Sequence, residues 1–401
     1  MIWVIGDIHG MLDPLKSILT AIRLEEEPDD PVEKIIFIGD YIDHGPSSKE
    51  VIDLISRLDY NKVLLMGNHE DLAVRFFKFD TPMFEKYGFQ WFNNGCEETL
   101  YSINDTKKID ELRNLIYKYK YSDLSNKKIL IYANTALISM PRKYKNFLYN
   151  LKYSHHEIIK VEGQDLSFNF FHSLPKPFIG LESQRVQNYN DFNNLLLDMA
   201  RKDEYYAKDK QDKKKMIRNS REFINNSFIW QRDYIDEEIP FSYGGEIVIH
   251  GHTPTIGYEE LYGYGEEYDN DGINKQFKSF PYKDMMPFLY SLSPEAFLNP
   301  IETRPYRYQR GPEYAGFKFF PDKEYHYLTG PEYGIEAINI DTGAVAGGAL
   351  TALGLSPKYL AKNYLLLLSY PSATAPRLTR DKVKKIQIKF DKLGGPAHKK
   401  S

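Results

Sequence analysis

Residues 2–7 (IWVIGD), 34–40 (KIIFIGD) and 62–68 (KVLLMGN) carry one pattern three times: a short, unbroken apolar run that stops at glycine followed by Asp or Asn. Continuous apolar runs of this length are those of strands buried on both faces of a parallel sheet. Between them Leu12, Leu15, Ile18, Leu19 and Ile22, then Val51, Ile52, Leu54, Ile55 and Leu58, recur at helical spacing. The chain therefore starts β-α-β-α-β. Right-handed crossovers bring the C-terminal ends of such strands to one sheet edge, where open α/β sheets hold their sites. At the first of those ends, Asp7 and His9 stand two residues apart, and in an extended segment they point the same way. A carboxylate beside an imidazole reads as half of a metal site; Asp7 capping a helix near Met11 is the ordinary alternative.

Working outward, 401 residues with 42% hydrophobic and 27% charged are enough for a full core and describe a globular, soluble protein. The formal charge of −4 is uneven: residues 371–401 hold nine Lys or Arg against Asp381 and Asp391, which leaves the rest near −11. A solvated tail is the plain reading of that basic end, and contact with nucleic acid or an anionic surface the other. The single cysteine, Cys96, excludes an internal disulfide and fits a reducing compartment. A strand starting at residue 2 leaves no room for a leader, and no run approaches the ~18 apolar residues of a membrane span. A cytoplasmic location is expected.

Further along, LSFNFF (166–171) reads as a strand ending at His172, and EIVIHGHTPT (246–255) as a strand ending in a His-containing turn. ILIYANTALI (129–138) is a candidate strand inside a Lys-, Asn- and Tyr-rich stretch at about 105–150, and residues 191–229 read as a charged helical face. Residues 258–328 are rich in Tyr, Phe, Gly and Pro, with little periodicity. YGIEAINIDTGAVAGGALTALGL (333–355) reads as a hairpin about an Asp-Thr-Gly turn. KKIQIKF near the end alternates Ile386, Ile388 and Phe390 like a last strand. The organisation expected is a catalytic domain over 1–370, with insertions at about 105–150 and 258–328, followed by a basic tail over 371–401.

The strand ends carry the chemistry. GDIHG supplies Asp7 and His9; GDYIDHG supplies Asp40, Asp43 and His44; GNHE supplies Asn68, His69 and Glu70; His172 follows FF; HGHTP supplies His250 and His252. This oxygen and imidazole inventory is large enough for two divalent ions sharing one carboxylate, an arrangement that clamps a phosphoryl oxygen and activates water near neutral pH. Glu70 reads as a helix cap or intrahelical partner, and His250 as supporting structure.

In this order, GDxHG, GDxxD, GNHE, a lone His after a strand and GHTP resemble the calcineurin-like metallophosphoesterases, and more narrowly their phosphoprotein phosphatase branch of serine/threonine phosphatases and symmetrical diadenosine tetraphosphatases. WFNNGCEETL (91–100), WQR (230–232) and INIDTG (338–343) are similar to further stretches of that branch. The resemblance implies an α/β fold, a four-layer α/β/β/α sandwich. It also implies metal ligands: Asp7, His9 and Asp40 for one ion, then Asp40, Asn68, His172 and His252 for the other. Manganese is the expected metal, with iron or zinc as alternatives. His69 would be the general acid, Asp43 its partner, and Arg232 and His44 would meet the phosphate. The implied reaction is hydrolysis of phosphate monoesters of the phosphoserine or phosphothreonine type by a metal-bridging hydroxide.

Two positions depart from the branch. HSLP replaces the usual His-Ala-Gly or His-Gly-Gly after the lone strand, which leaves His155 or His156 as substitute ligands for His172. His44 replaces the arginine of GDxxDRG, and an imidazole cannot fork onto two phosphate oxygens. Two other activities stay open: hydrolysis of a dinucleoside polyphosphate or nucleic-acid end, and a catalytically weak scaffold that binds a regulatory partner. The expected partner is a phosphorylated protein or nucleotide, not a membrane.

Overall fold

The structure is a computed structural model that describes residues 1–78, 91, 94–103, 107, 109–110, 141–174, 229–230, 247–252, 288–291, 308–310, 315–318, 335–346, 349–371 and 383–389. The opening follows the sequence pattern: β1 (Ile2–Ile5), α1 (Leu12–Leu24), β2 (Lys34–Phe37), α2 (Ser48–Arg57), β3 (Lys62–Leu64) and α3 (Asn68–Lys78). Two helices follow, α4 (Cys96–Ile103) and α5 (Arg142–Tyr149), then β4 (Ser154–Val161), β5 (Gln164–Phe171) and β6 (Ile247–His250). The remaining elements are β7 (Phe288–Ser291), β8 (Tyr308–Arg310), β9 (Ala315–Lys318), β10 (Ile335–Asn339), β11 (Ala349–Leu355), α6 (Pro357–Leu360), β12 (Tyr364–Pro371) and β13 (Lys384–Lys389).

The strands form two mixed sheets, one in the order β13-β12-β11-β1-β2-β3 and the other β4-β5-β6-β10-β7-β9-β8. β1, β2 and β3 run parallel, as helical crossovers require, and β11 joins β1 antiparallel. The alternation of side chains along β1 builds both cores. Trp3 and Ile5 pack outward against Leu15, Ile18 and Ile22 of α1 and Val51 and Ile55 of α2. Ile2 and Val4 point the other way, with Ile36, Leu353 and Leu367, onto Phe168, Phe170, Ile249 and Ile338 of the second sheet. Each such buried side chain contributes about 1.5–3 kcal/mol, so a strand apolar on both faces is held from both sides. This is the α/β sandwich expected.

Three expectations need revision or completion. The 333–355 stretch is not a hairpin: β10 pairs with β6 and β7 in one sheet, and β11 with β1 and β12 in the other. The Asp341-Thr342-Gly343 turn is a corner between sheets, closed by Ala349 N–H donating to the Thr342 carbonyl at 3.1 Å and Gly343 N–H to Asp341 Oδ1 at 3.0 Å. β7, β8 and β9 lie in the 258–328 stretch that showed little periodicity; three or four residues are too few for alternation to show. Within the basic end, Lys384–Lys389 pairs antiparallel with β12 as the edge strand β13. The candidate strand at 129–138 lies outside the described residues, as does the charged stretch 191–229 apart from Ile229.

Candidate metal centre

The loops after β1, β2, β3, β5 and β6 meet at one edge of the sandwich, and their backbone there is unusual. Among the described non-glycine residues seven have positive φ, and five belong to this edge: His9 (46°), Asp40 (51°), Asp43 (71°), His44 (64°) and His252 (69°). Left-handed backbone costs about 1–3 kcal/mol per residue and persists where the surroundings over-determine it, commonly at ligand sites. Two glycines permit the approach. A Cβ on Gly67 would lie 2.0 Å from Asp40 Oδ1, and one on Gly251 2.1 Å from Asp7 Oδ1.

Asp7 does not cap α1, whose N-terminus has no side-chain cap. It is buried, and its Oδ2 accepts the His252 N–H at 3.0 Å, tying together loops 245 residues apart. Asp40 stands at the centre: His9 Nε2 is 3.3 Å from its Oδ2, His172 Nε2 is 3.4 Å from its Oδ1, and the His69 N–H donates to Oδ1 at 3.1 Å. Asn68 Oδ1 sits 2.9 Å from His172 Nε2 and 2.8 Å from His252 Nδ1. Asp7, His9 and Asp40 form one group of potential ligand atoms within 4.8 Å of one another, and Asp40, His172 and His252 another. His172 is buried with Nδ1 against the Ile38 carbonyl at 3.0 Å, whereas His155 and His156 lie on β4 beside Glu157 and Ser167.

The donor set fits a pair of cations. Asp7 Oδ1 is buried and meets no protein donor, while burial, Asp341 and Asp40 raise its carboxyl well above the usual range. A cation between Asp7 and Asp40 answers both conditions. Burial drives His9 down to about 3, so its ring is neutral and offers a lone pair. Burial works against the charged form of Asp40 too, yet His172, His69 and His9 hold its carboxyl well below the ordinary carboxylate range.

His69 is built differently. Its Nδ1 lies 2.8 Å from Asp43 Oδ2, and burial, which pulls the imidazole down, is outweighed by the charge of Asp40 and the bond to Asp43, raising it to about 9. Asp43 is itself held by Trp91 Nε1 at 2.7 Å and Thr99 Oγ1 at 2.6 Å, and its N–H donates to the Thr99 and Ser48 hydroxyls at 2.8 and 3.2 Å. His44 is exposed and its ring stacks edge-on to both His9 and His69. Arg232 lies outside the described residues; its neighbour Trp230 donates to Asp71 Oδ2 at 3.2 Å.

Glu70 is more than a helix cap. Its carboxylate accepts the N–H groups of Asp40 (2.9 Å), Tyr41 (2.8 Å), Ile42 (3.2 Å) and Gly67 (3.0 Å), so it splints the two loops that present Asp40 and Asn68. Sequence reasoning passed over this role, and assigned none to Trp91 or Thr99 although WFNNGCEETL displayed both. His250 is buried with Nδ1 3.1 Å from the Gly251 carbonyl.

With this geometry in view, the profile of the calcineurin-like phosphoesterase family matches residues 1–273. The chain is a calcineurin-like phosphoesterase. Within that family it is 31% identical over 121 residues to serine/threonine-protein phosphatase 2 of Escherichia coli, covering 30% of this chain and 49% of the relative. It is 42% identical over 69 residues to the symmetrical bis(5'-nucleosyl)-tetraphosphatase of Wigglesworthia glossinidia brevipalpis (17% of this chain, 24% of the relative). It is 40% identical over 80 residues to the asymmetrical bis(5'-nucleosyl)-tetraphosphatase of Anoxybacillus flavithermus (18% and 33%). The matched stretches span about half or less of these relatives' lengths. Among solved structures, a cold-active protein tyrosine phosphatase of Shewanella overlaps at a TM-score of 0.33 with 14% identity, covering 96% of this chain and 80% of that one. A metallophosphoesterase from Sphaerobacter thermophilus overlaps at 0.22 with 15% identity (45% and 48%). Among the described residues no helix is long and apolar enough to cross a membrane.

Proposed function

We propose that this calcineurin-like phosphoesterase hydrolyses phosphate monoesters, of the phosphoserine or phosphothreonine type, with two divalent cations and with His69 as general acid. One observation carries the reading: five potential ligands from four other loops converge around Asp40, with the His69–Asp43 pair beside them. Asp7, His9 and Asp40 would hold one ion, and Asp40, Asn68, His172 and His252 the other. Bound there, the cations supply charge to the phosphoryl oxygens and bring water toward ionisation near pH 7; manganese suits this mix of carboxylate, amide and imidazole donors, as do iron and zinc.

The chain's own groups do the rest. Asp40 lies between the two ligand groups and keeps its negative charge. His69 keeps Nδ1 on Asp43 and presents Nε2, whose proton passes to the departing alkoxide as the P–O bond breaks. Asp43 then stabilises the orientation of the ring, and Trp91 and Thr99 fix Asp43 in turn. Arg232 is the proposed fork for the phosphate oxygens, since His44 cannot make two parallel charged bonds.

The test is hydrolysis by purified, manganese-loaded protein of p-nitrophenyl phosphate, which Asp40→Asn suppresses, and of an alkyl phosphate, which His69→Ala suppresses as well. No turnover with any divalent metal between pH 5 and 9 would hand the site to a binding or regulatory role. A side-by-side assay of a phosphopeptide, diadenosine tetraphosphate and a nucleotide monoester separates the protein-phosphatase reading from the nucleotide one, which the named tetraphosphatase relatives support.

A further inference from the structure

His44 stands where the phosphatases this chain resembles have arginine, and the fold holds its ring in place. Its N–H donates to the Gly95 carbonyl at 3.1 Å, its backbone is left-handed, and its Nδ1 edge lies where a Cβ on Gly95 would approach to 2.5 Å. The ring thereby meets two others. Its centroid is 5.2 Å from that of His9 and 4.9 Å from that of His69, which are 4.7 Å from each other. One potential ligand nitrogen from each ring falls within 4.8 Å of the other two.

Two of the rings are braced from behind. His9 Nδ1 lies 3.0 Å from the Ile42 carbonyl and His69 Nδ1 2.8 Å from Asp43, which leaves Nε2 of each for a ligand. Backing by a carbonyl or carboxylate is how metal-ligating imidazoles are oriented and made more basic. The third ring is exposed, so the cluster opens to solvent.

We propose that His9, His44 and His69 form an additional, all-imidazole site for one borderline divalent cation, zinc or copper(II), whose binding removes His69 from proton transfer. The clause about His69 rests on the phosphoesterase reading; the site itself does not. Imidazole triads favour zinc and copper over manganese, whereas a set with carboxylates and an amide oxygen takes manganese as well. His9 belongs to both sets, because its Nε2 also lies 3.3 Å from Asp40. The two modes therefore exclude each other, and zinc captured here competes with manganese for His9. An arginine at position 44 would remove a ligand and add a repelling charge.

The experiment titrates copper(II) alone into the metal-stripped full chain and reads electron paramagnetic resonance. The expected result is a signal with superhyperfine splitting from three nitrogens that is lost in His44→Asn, a residue that tolerates left-handed backbone, and in His44→Arg, with affinity at this site falling at least ten-fold. His156→Ala, on β4, leaves the signal unchanged. If His44→Asn binds copper with the wild-type spectrum and affinity, the site does not exist. If manganese-loaded protein hydrolyses no phosphate ester while the copper signal still depends on His44, the functional reading fails and this site stands. If turnover is present, micromolar zinc slows the wild type more than it slows His44→Asn; equal slowing of both contradicts the inhibitory role.

Discussion

Asp43 shows how much of the centre lies in single side chains. It accepts from Trp91, Thr99 and His69, and the bond to His69 adds to the charge of Asp40 in raising that imidazole to about 9. A general acid matters most when the leaving group is basic. His69→Asn is accordingly expected to slow hydrolysis of an alkyl phosphate by about 10²–10⁴-fold, and that of p-nitrophenyl phosphate by far less. Equal losses on the two substrates, measured as kcat, would point away from proton delivery. The residues at this scale were legible to different degrees. Asp7, His9, Asp40, Asn68 and His252 announced themselves because each follows an apolar run that ends at a sheet edge. Glu70 did not, because three of its four partners are backbone N–H groups 28–30 residues away, and a main-chain donor leaves no mark on residue type.

Elements were readable where their periodicity had room to show. β1, α1, β2, α2 and β3 follow the apolar pattern directly, and Lys384–Lys389 follows the alternation of Ile386 and Ile388. The 333–355 stretch misled because a turn signal states that the chain reverses, not which neighbour each strand pairs with; β10 and β11 reverse by changing sheets. A cross-sheet tie supports this arrangement. Lys34 on β2 pairs with Glu157 on β4, which also meets His155 at 2.5 Å. Burial alone would raise the Glu157 carboxyl, but the bonds to His155 and Lys34 hold it at about 2, against an ordinary 4.5. A folded-state pKa below the unfolded one stabilises above pH 4.5, and that contribution is lost as pH falls through 4.5 toward 2. Metal-stripped wild type should therefore exceed Glu157→Gln in denaturant midpoint at pH 6, and the gap should close progressively below pH 4.5. A gap independent of pH would assign the difference to packing rather than charge.

For the whole molecule, two apolar layers hold a polar edge. The outer layer joins β1 to α1 and α2, the inner joins the two sheets, and the loops between them are drawn together where the strands stop. Local patterns cannot say how two sheets face each other, so the sandwich came from family resemblance, and the structure shows the physical reason: odd positions of β1 serve one core and even positions the other. The price of the convergence is strain at His9, Asp40, Asp43, His44 and His252, together with the buried, unanswered oxygen of Asp7. Both are accounted for if the edge exists to grip cations. Anomalous diffraction from a crystal soaked in manganese tests this most directly. The account predicts two peaks about 3.5–4 Å apart with Asp40 between them, Asp7 and His9 on one side, and Asn68, His172 and His252 on the other. No peak at this edge, or manganese bound away from Asp40, would contradict it.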